Sequence, residues 1–240
     1  MIRALSYSLA LVLALAAPAG AGVVKRLATD EKVVALTFDA CEAGAVAHLD
    51  HGIADYLVAN HIPFTVFMGG KFARDNAGDA RWLAAQDAVE IENHSWSHNN
   101  HMPRLSDARV QSEVTRATDE IFAVTGRRTH LFRFPAGTSD ARTEALVAGL
   151  GQGIVGWRWA VGDPVKGESA RDIVATTLRM TRPGDILIYH INGRGWHTAE
   201  ALPRVIEGLR AEGYRFVLLR DYLPGPATRP SANGLQNRSS

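Results

Sequence analysis

Cysteine is almost absent from this 240-residue chain, which contains only Cys41. A single cysteine excludes an intramolecular disulfide, so an apolar core must hold the fold without covalent links. A lone thiol is either buried and inert or part of a functional site. The sequence leaves both interpretations open.

An excess of charge of one sign is also absent. The chain has 26 basic and 25 acidic residues, a formal net charge of +1. Without Arg3, which lies in a separate N-terminal segment, the two counts are equal at 25. A balanced chain has no electrostatic footprint for nucleic acid or for an anionic membrane. We therefore expect no nucleic-acid partner.

Long apolar runs are missing except at the N-terminus. There a cationic Arg3 precedes the apolar segment Ala4 to Ala17, and the small residues Ala19-Gly20-Ala21 follow. This order is typical of a cleaved signal peptide. The run is shorter than the roughly 20 residues that span a bilayer and ends at Pro18. Residues 1–21 are thus predicted to direct export to the periplasm or the extracellular space, without stable membrane insertion after cleavage. An uncleaved anchor is the alternative.

Phosphate-binding loops are missing as well. Gly193-Arg194-Gly195 lacks both the lysine of a P-loop and the GxGxxG spacing of a dinucleotide-binding turn. The glycines therefore do not indicate a nucleotide cofactor.

The rest of the chain alternates apolar segments of strand length with segments of helical periodicity. The expected strands are 33–38, 64–67, 88–91, 130–134, 153–159, 186–189 and 216–219. Such alternation predicts an α/β fold with a parallel sheet. Seven repeats with short connections favour an imperfectly closed (β/α)7 barrel. We expect one domain at 33–223, preceded by an N-terminal lead at 22–32 and followed by a flexible tail at 224–240.

Two histidines with metal-binding spacing follow the third expected strand. His94 and His98 are four residues apart, which puts both imidazoles on one face if the segment forms a helical turn. Neutral imidazole is a common metal ligand. The alternative is that one or both are surface or hydrogen-bonded core histidines.

Other polar residues also follow expected strands, where parallel barrels assemble their sites. The set comprises Asp39, His94, His98, Arg133, Asp163 and His190. Individually, Asp39 can cap a helix, Asp163 can form a turn before Pro164, and His190 can be a core histidine. A shared position at strand ends makes a common site the better interpretation.

These residues make the chain resemble the polysaccharide deacetylases that share the NodB homology domain (carbohydrate esterase family four). The resemblance covers roughly Val33 to Leu223. Thr37-Phe38-Asp39-Ala40 resembles the TFDD motif, and His94-Ser95-Trp96-Ser97-His98 matches HSxxH. Arg133-Phe134-Pro135 matches RxP, and Leu187-Ile188-Tyr189-His190 matches LxxH.

The resemblance implies a role for each matched residue. Asp39 is the expected catalytic base and His190 the general acid, with Arg133 and Asp163 orienting them. His94 and His98 are the expected ligands of a divalent metal. Leu187, Trp159 and Pro135 are implied as substrate-binding residues, with Trp159 matching the fourth motif only loosely.

One departure concerns the metal. The second Asp of TFDD, a metal ligand in the family, is Ala40 here, and a methyl group cannot bind a cation. The remaining candidates are Asp39 itself, the thiolate of Cys41, the carboxylate of Glu42, or water. A thiolate ligand favours zinc. A small buried thiol that only fills space is the alternative for Cys41.

We therefore expect an exported hydrolase that removes acetyl groups, from nitrogen or oxygen, from a cell-wall or extracellular glycan. Zinc is the expected metal, with an incomplete set of protein ligands. Two alternatives remain open. One is a metal-independent hydrolase of a small amide on the same fold, and the other is a catalytically inactive glycan-binding barrel.

Overall fold

The computed structural model describes residues 22–42 and 47–223. The expected signal peptide at 1–21 and the expected tail at 224–240 lie outside the described residues. None of the helices in the described part is long and apolar enough to cross a membrane.

Seven parallel strands form one curved sheet. Its order is β5-β4-β3-β2-β1-β6, and the start of β1 also pairs with β7. The strands are β1 Val33–Ala40, β2 Phe64–Met68, β3 Val89–Asn93, β4 Leu131–Phe132, β5 Gly153–Ile154, β6 Ile186–His190 and β7 Arg215–Val217.

In the described part of the chain, seven α-helices connect the strands. They are α1 His51–Ala59, α2 Gly70–Asp75, α3 Ala77–Ala84, α4 Asp107–Thr125, α5 Ala141–Gly149, α6 Ala170–Met180 and α7 Thr198–Ala211. A parallel crossover needs such a covering element, because consecutive strands run in the same direction. The expected α/β architecture, a single-domain and incompletely closed barrel, is confirmed.

Strand β1 shows how the sheet separates two cores. Val34, Leu36 and Phe38 pack in the large cluster that includes the helices, and so does Ala40. Val33 and Ala35 pack in a second cluster inside the curve of the sheet. Because side chains alternate along a strand, Asp39 points to the inner side with Val33 and Ala35. The period of two therefore aims Asp39 at the barrel interior.

Strand β3 carries two buried carboxyl groups on its inner face, at Glu90 and Glu92. Glu92 accepts hydrogen bonds of 2.7 Å from the backbone amides of His130 and Leu131. Two residues after Leu131, the backbone amide of Arg133 donates to the carbonyl of Asn93 at 2.9 Å. Glu92 thus fixes the start of β4 and, through it, the position of Arg133.

Residues of the expected N-terminal lead pack against the barrel and form β-bridges with it. Val24 forms a parallel bridge with Val155 beside β5, and Arg26 forms an antiparallel bridge with Asp185 beside β6. The side chain of Leu27 is buried in the inner core. Residues 24–27, which we name the closing segment, therefore span the gap between the two edges of the sheet. These contacts lie N-terminal to residue 33, where the sequence predicts that the domain begins.

Two local expectations were wrong. The fifth strand was expected at 153–159 but ends at Ile154, after which the chain turns through the loop that carries Trp157 and Trp159. The segment from His94 to His98 is a loop rather than a helical turn.

Candidate active site

Asp39 and Arg133 form a buried ion pair at the strand ends. The Arg133 Nη1 atom donates to Asp39 Oδ1 at 2.9 Å, and Arg133 is fully buried. The guanidinium also lies 4.0 Å from the centre of the Phe67 ring, which offsets part of the cost of burying it. Burial alone would raise the pKa of Asp39, but the neighbouring His94 ring and the cationic, hydrogen-bonding Arg133 lower it below its ordinary value. Asp39 is therefore a carboxylate at neutral pH.

The ring of His94 is oriented by a backbone carbonyl. Its Nδ1 atom lies 2.9 Å from the carbonyl oxygen of Arg133, which can only accept, so Nδ1 carries the proton. Burial lowers the pKa of His94 despite the charge of Asp39, so the ring is neutral. Nε2 therefore presents a lone pair, and it lies 3.3 Å from Asp39 Oδ2. Two acceptors facing each other at this distance are stabilised by a cation between or beside them.

His98 and Cys41 complete a cluster of donor atoms. One ligand atom each from Cys41, His94 and His98 can be chosen so that all three lie within 4.8 Å of one another. The His94 Nε2 and His98 Nδ1 atoms are buried without a hydrogen-bond partner among residues 22–42 and 47–223. Burial and the neighbouring His94 lower the pKa of His98 to about 3. Such orphaned neutral imidazoles fit a bound divalent metal.

The loop between the histidines is held in a strained conformation. Ser95 and His98 both have positive φ angles, 68° and 54°. Short polar bonds maintain the loop: the Ser95 amide donates to Asn93 Oδ1 at 2.8 Å, and the His98 amide to Ser95 Oγ at 3.1 Å. Strain of this kind persists where surrounding structure enforces it, and it clusters at functional sites. A regular helix would not have turned both rings to Asp39.

His190 lies beside Asp39 on the neighbouring strand, as its register partner in the β1–β6 pair. Its Nδ1 atom lies 3.1 Å from Asp163 Oδ1, while Asp163 Oδ2 accepts from the His190 amide at 2.7 Å and from Thr198 Oγ1 at 3.0 Å. Burial alone would lower the pKa of His190, but the hydrogen bond and charge of Asp163 raise it above its ordinary value. Asp163 thus favours the protonated ring.

Glycine is required at position 195 for this arrangement. A Cβ atom there would lie 2.6 Å from the carbonyl oxygen of His190 and 3.0 Å from Asp163 Oδ2, and it would collide with Thr198 Oγ1. The role of this glycine is therefore to let Asp163 approach His190 and Thr198 closely.

Asp39 and His190 line one cavity of about 230 Å³. His98, Asp163, Trp157 and Arg194 contribute to the same wall. A second cavity of about 470 Å³ shares Trp157 and Ala136 with the first. Trp157 therefore lies at the junction of two adjoining cavities.

Four of the residues that the sequence suggested for the site lie outside the cavity and the donor cluster. Trp159 donates its indole N–H to Asp185 Oδ2 at 3.1 Å, near the start of β6. Leu187 is buried in the helix-side cluster, and Pro135 is buried but does not line the cavity. The carboxyl of Glu42 faces Asp75, and burial beside that residue raises its pKa. In this structure, Trp159, Leu187 and Pro135 are not cavity-lining residues, and Glu42 does not belong to the donor cluster.

Trp157, Ile188 and Arg194 line the cavity instead. Ile188 lines the cavity because it has the same parity as His190 on β6, whereas Leu187 has the opposite parity. That signal was present in the sequence. For Trp157 the sequence gave no such signal, because the position of its side chain depends on where β5 ends.

Comparisons with known proteins give consistent matches. A family model described as polysaccharide deacetylase matches residues 26–155. A peptidoglycan-N-acetylglucosamine deacetylase of Bacillus cereus is 25% identical over 197 residues, 81% of this chain and 89% of that protein. A bifunctional xylanase/deacetylase of Pseudobutyrivibrio xylanivorans is 23% identical over 203 residues, 84% of this chain. The chain spans only 32% of that larger protein.

One similar structure is a CE4 family pseudoenzyme from Bacillus anthracis. Its TM-score is 0.73 at 22% identity, with 84% of this chain and 69% of that chain covered. A mutant of the same protein with restored enzymatic activity has a TM-score of 0.74 at 24% identity, covering 84% of this chain and 71% of that chain. At these identities the likeness shows the fold alone.

Proposed function

Because the chain belongs to the polysaccharide deacetylase family, a class of hydrolases acting on carbon–nitrogen bonds, we propose that it removes acetyl groups from an acetylated glycan. The observation that carries this proposal is the pairing of Asp39 and His190. They are register partners on adjacent strands, they line the same cavity, and each has its own oppositely charged partner.

Asp39 is the proposed general base. Its lowered pKa keeps it ionised, so it can accept a proton from a water that attacks the acetyl carbonyl. The hydrogen bond from Arg133 Nη1 engages Oδ1 and leaves Oδ2 on the side of the histidines. Arg133 therefore acts as a positioning residue that fixes which oxygen takes the proton.

His190 is the proposed general acid. With Nδ1 bonded to Asp163, its Nε2–H is available to protonate the leaving amine as the C–N bond breaks. The proton taken by Asp39 and the one given by His190 balance over the hydrolysis, which yields acetate and a free amine. An acetyl ester follows the same route with an alcohol as the leaving group.

His94 and His98 would hold a divalent metal, with zinc expected, through the Nε2 and Nδ1 atoms that lack partners in the described part of the chain. When bound, such an ion supplies Lewis acidity that polarises the acetyl carbonyl and makes water easier to deprotonate. Asp39 and Arg133 keep their roles whichever divalent ion is bound.

The two adjoining cavities support an oligosaccharide as substrate. Cavities of about 300–1,000 Å³ are typical of ligand sites, and the catalytic cavity alone is smaller. The second cavity adds about 470 Å³ beyond Trp157, and Trp196 is 48% exposed in the loop that follows His190. Sugar rings carry both apolar faces and hydroxyl groups, which suits aromatic side chains beside polar ones.

Ala40, which cannot bind a metal, favours two other candidates. One is a barrel that only binds glycan, and the other is a hydrolase that cleaves a small amide without a metal. The missing carboxylate removes one donor from the expected ligand set. Binding alone requires neither a base nor an acid, and both are present with their supporting contacts. The deacetylase is therefore the better interpretation.

Acetate release tests the proposal. The purified protein is incubated with N-acetylglucosamine oligomers and with O-acetylated xylan oligomers, with zinc and with a chelator. We expect zinc-dependent release of acetate from the oligomers. Release that persists after chelation would support the metal-independent hydrolase, and binding without release would support the inactive barrel.

Export is a further part of the proposal, supported by the signal pattern at 1–21. N-terminal sequencing of the protein from the producing cell should give a chain that begins at or near Gly22. A cytoplasmic product that retains Met1 would contradict it.

A further inference from the structure

We propose that Cys41 is the third protein ligand of the metal and that its thiolate replaces the missing carboxylate at position 40. This inference rests on the proposed function for the presence of the metal. It goes further by naming the donor set, two imidazoles and one thiolate, and therefore the class of ion that the site selects.

The direction of the side chains distinguishes Cys41 from Ala40. Ala40 packs in the helix-side cluster with no exposed surface. The Cys41 Sγ atom instead lies within 4.8 Å of ligand nitrogens of both His94 and His98. Two atoms bonded to one zinc ion at about 2.0–2.3 Å each are at most about 4.6 Å apart, so small side-chain rotations would close the set.

The histidines provide the independent sign of a ligand. His94 is fully buried, and its Nε2 atom faces the cluster without a hydrogen-bond partner in the described residues. A thiol that only fills space would be expected among apolar side chains. Cys41 instead borders the rings of two histidines, each of which has one ring nitrogen without a hydrogen-bond partner in the described residues.

A buried amide orients the sulfur. Asn192 is buried, and its Nδ2 atom lies 2.6 Å from the Cys41 carbonyl oxygen and 3.5 Å from Sγ. Burial and the charge of Asp39 raise the pKa of the Cys41 thiol to about 12, and Asn192 and Arg194 offset this only in part. Without a metal the sulfur is therefore a neutral thiol, and the hydrogen bond from Asn192 orients it. On binding, the S–H bond is lost, the metal–sulfur bond forms, and the proton leaves to solvent.

The chemical consequence is selectivity for soft or borderline ions. A carboxylate at this position accommodates magnesium and manganese, whereas a thiolate with two imidazoles favours zinc, cobalt and cadmium. The site should therefore discriminate more strongly against magnesium and manganese than an Asp-His-His site would.

Cobalt substitution tests the ligand without using activity. The full chain loaded with one equivalent of Co²⁺ should show an intense near-ultraviolet charge-transfer band from thiolate to cobalt. Cys41→Ser should lose this band while keeping the weaker visible bands that report the histidines. His130→Ala, which changes an exposed histidine outside the cluster, should leave the spectrum unchanged. Identical near-ultraviolet spectra of wild type and Cys41→Ser would overturn the proposal.

Two further measurements cover the case in which Cys41→Ser does not fold. Cys41→Asp should shift the ratio of Cd²⁺ to Mn²⁺ affinity toward Mn²⁺ by at least about tenfold, or about 1.4 kcal/mol. In the wild type, stoichiometric Zn²⁺ should protect Cys41 from a small methanethiosulfonate reagent, and the protection should disappear in His98→Ala. Because Cys41 is buried, the reagent is used under conditions in which it labels the metal-free protein. Equal labelling with and without Zn²⁺ under those conditions would count against the thiolate ligand. A thiolate band in a protein that releases no acetate would refute the deacetylase and leave this inference intact.

Discussion

Asp39→Asn is the change that separates the catalytic role of this residue from its structural one. Asparagine has nearly the same shape and keeps an oxygen that can accept from Arg133, but it cannot take a proton from water. General-base catalysis contributes on the order of 10²- to 10⁴-fold. The variant should lose activity by that factor, equivalent to about 2.7–5.4 kcal/mol in the barrier.

The same change should lower stability. The described residues give Arg133 one anionic partner, and removing one member of a buried pair costs about 3–5 kcal/mol. The retained oxygen keeps the hydrogen bond to Nη1, so we expect the lower end of that range. A typical domain is stable by about 5–15 kcal/mol, so the variant should fold with a reduced Tm.

The stability difference should depend on pH with a defined sign. The pKa of Asp39 is lowered in the folded state from its ordinary value of 3.8. Its contribution is therefore fully present above that ordinary value and is lost as pH falls through the folded-state pKa. The gap in free energy of unfolding between wild type and Asp39→Asn should shrink in acid, as pH falls below 3.8. It should also decline as pH rises and His190, whose pKa Asp39 helps to raise, loses its proton.

The assays are acetate release at saturating oligosaccharide and urea unfolding at several pH values. Asp87→Asn is the matched control, because it removes an exposed carboxylate away from the cavity and should change neither quantity. An Asp39→Asn variant that folds and keeps most of the wild-type rate would refute the assignment of the base.

Asp163→Asn should lower the pKa of His190, because the charge that raises this pKa is lost, and should move the alkaline limb of the pH–rate profile to lower pH. The control Thr198→Val removes a contact with Asp163 but no charge, so it should shift the alkaline limb much less. Gly195→Ala should push Asp163 and Thr198 apart and reproduce the shift of Asp163→Asn, whereas an unchanged profile would disprove the crowding argument. Trp157→Ala should lower kcat/KM for long oligomers by about tenfold, roughly 1.4 kcal/mol, and lower it less for a disaccharide; equal losses would show that Trp157 does not contact the second sugar.

Much of the site could be predicted from the sequence, because the alternation of strands with helices and the residues that end each strand can be read from short segments of the chain. Asp39 and His190 each end a continuous apolar strand, so their meeting at one edge of the sheet follows from the parallel arrangement. The loop from His94 to His98 could not be derived in this way. Its spacing suits a helical turn, but hydrogen bonds that the side-chain oxygens of Asn93 and Ser95 accept from backbone amides enforce a different backbone.

The substrate side of the site was less predictable for a related reason. The expected fifth strand ended five residues early, so its alternation could not assign Trp157 and Trp159 to the correct sides. Ile188 lines the cavity and Leu187 does not, because Ile188 shares the parity of His190 along β6. The sequence contains this signal, but the motif resemblance pointed to Leu187.

The closing segment also constrains the order in which this chain can fold. Its partners, Val155 and Asp185, follow it by well over a hundred residues, so the segment is synthesised long before either edge of the gap exists. Contacts of such long range form late because loop closure must precede them. Until then the β5 edge and the inner core near Leu27 are open, and an open sheet edge is a template for association with another chain. The period between synthesis of Val24 and docking of residues 24–27 is thus when aggregation competes most strongly with folding, and a chaperone that shields this gap would act there.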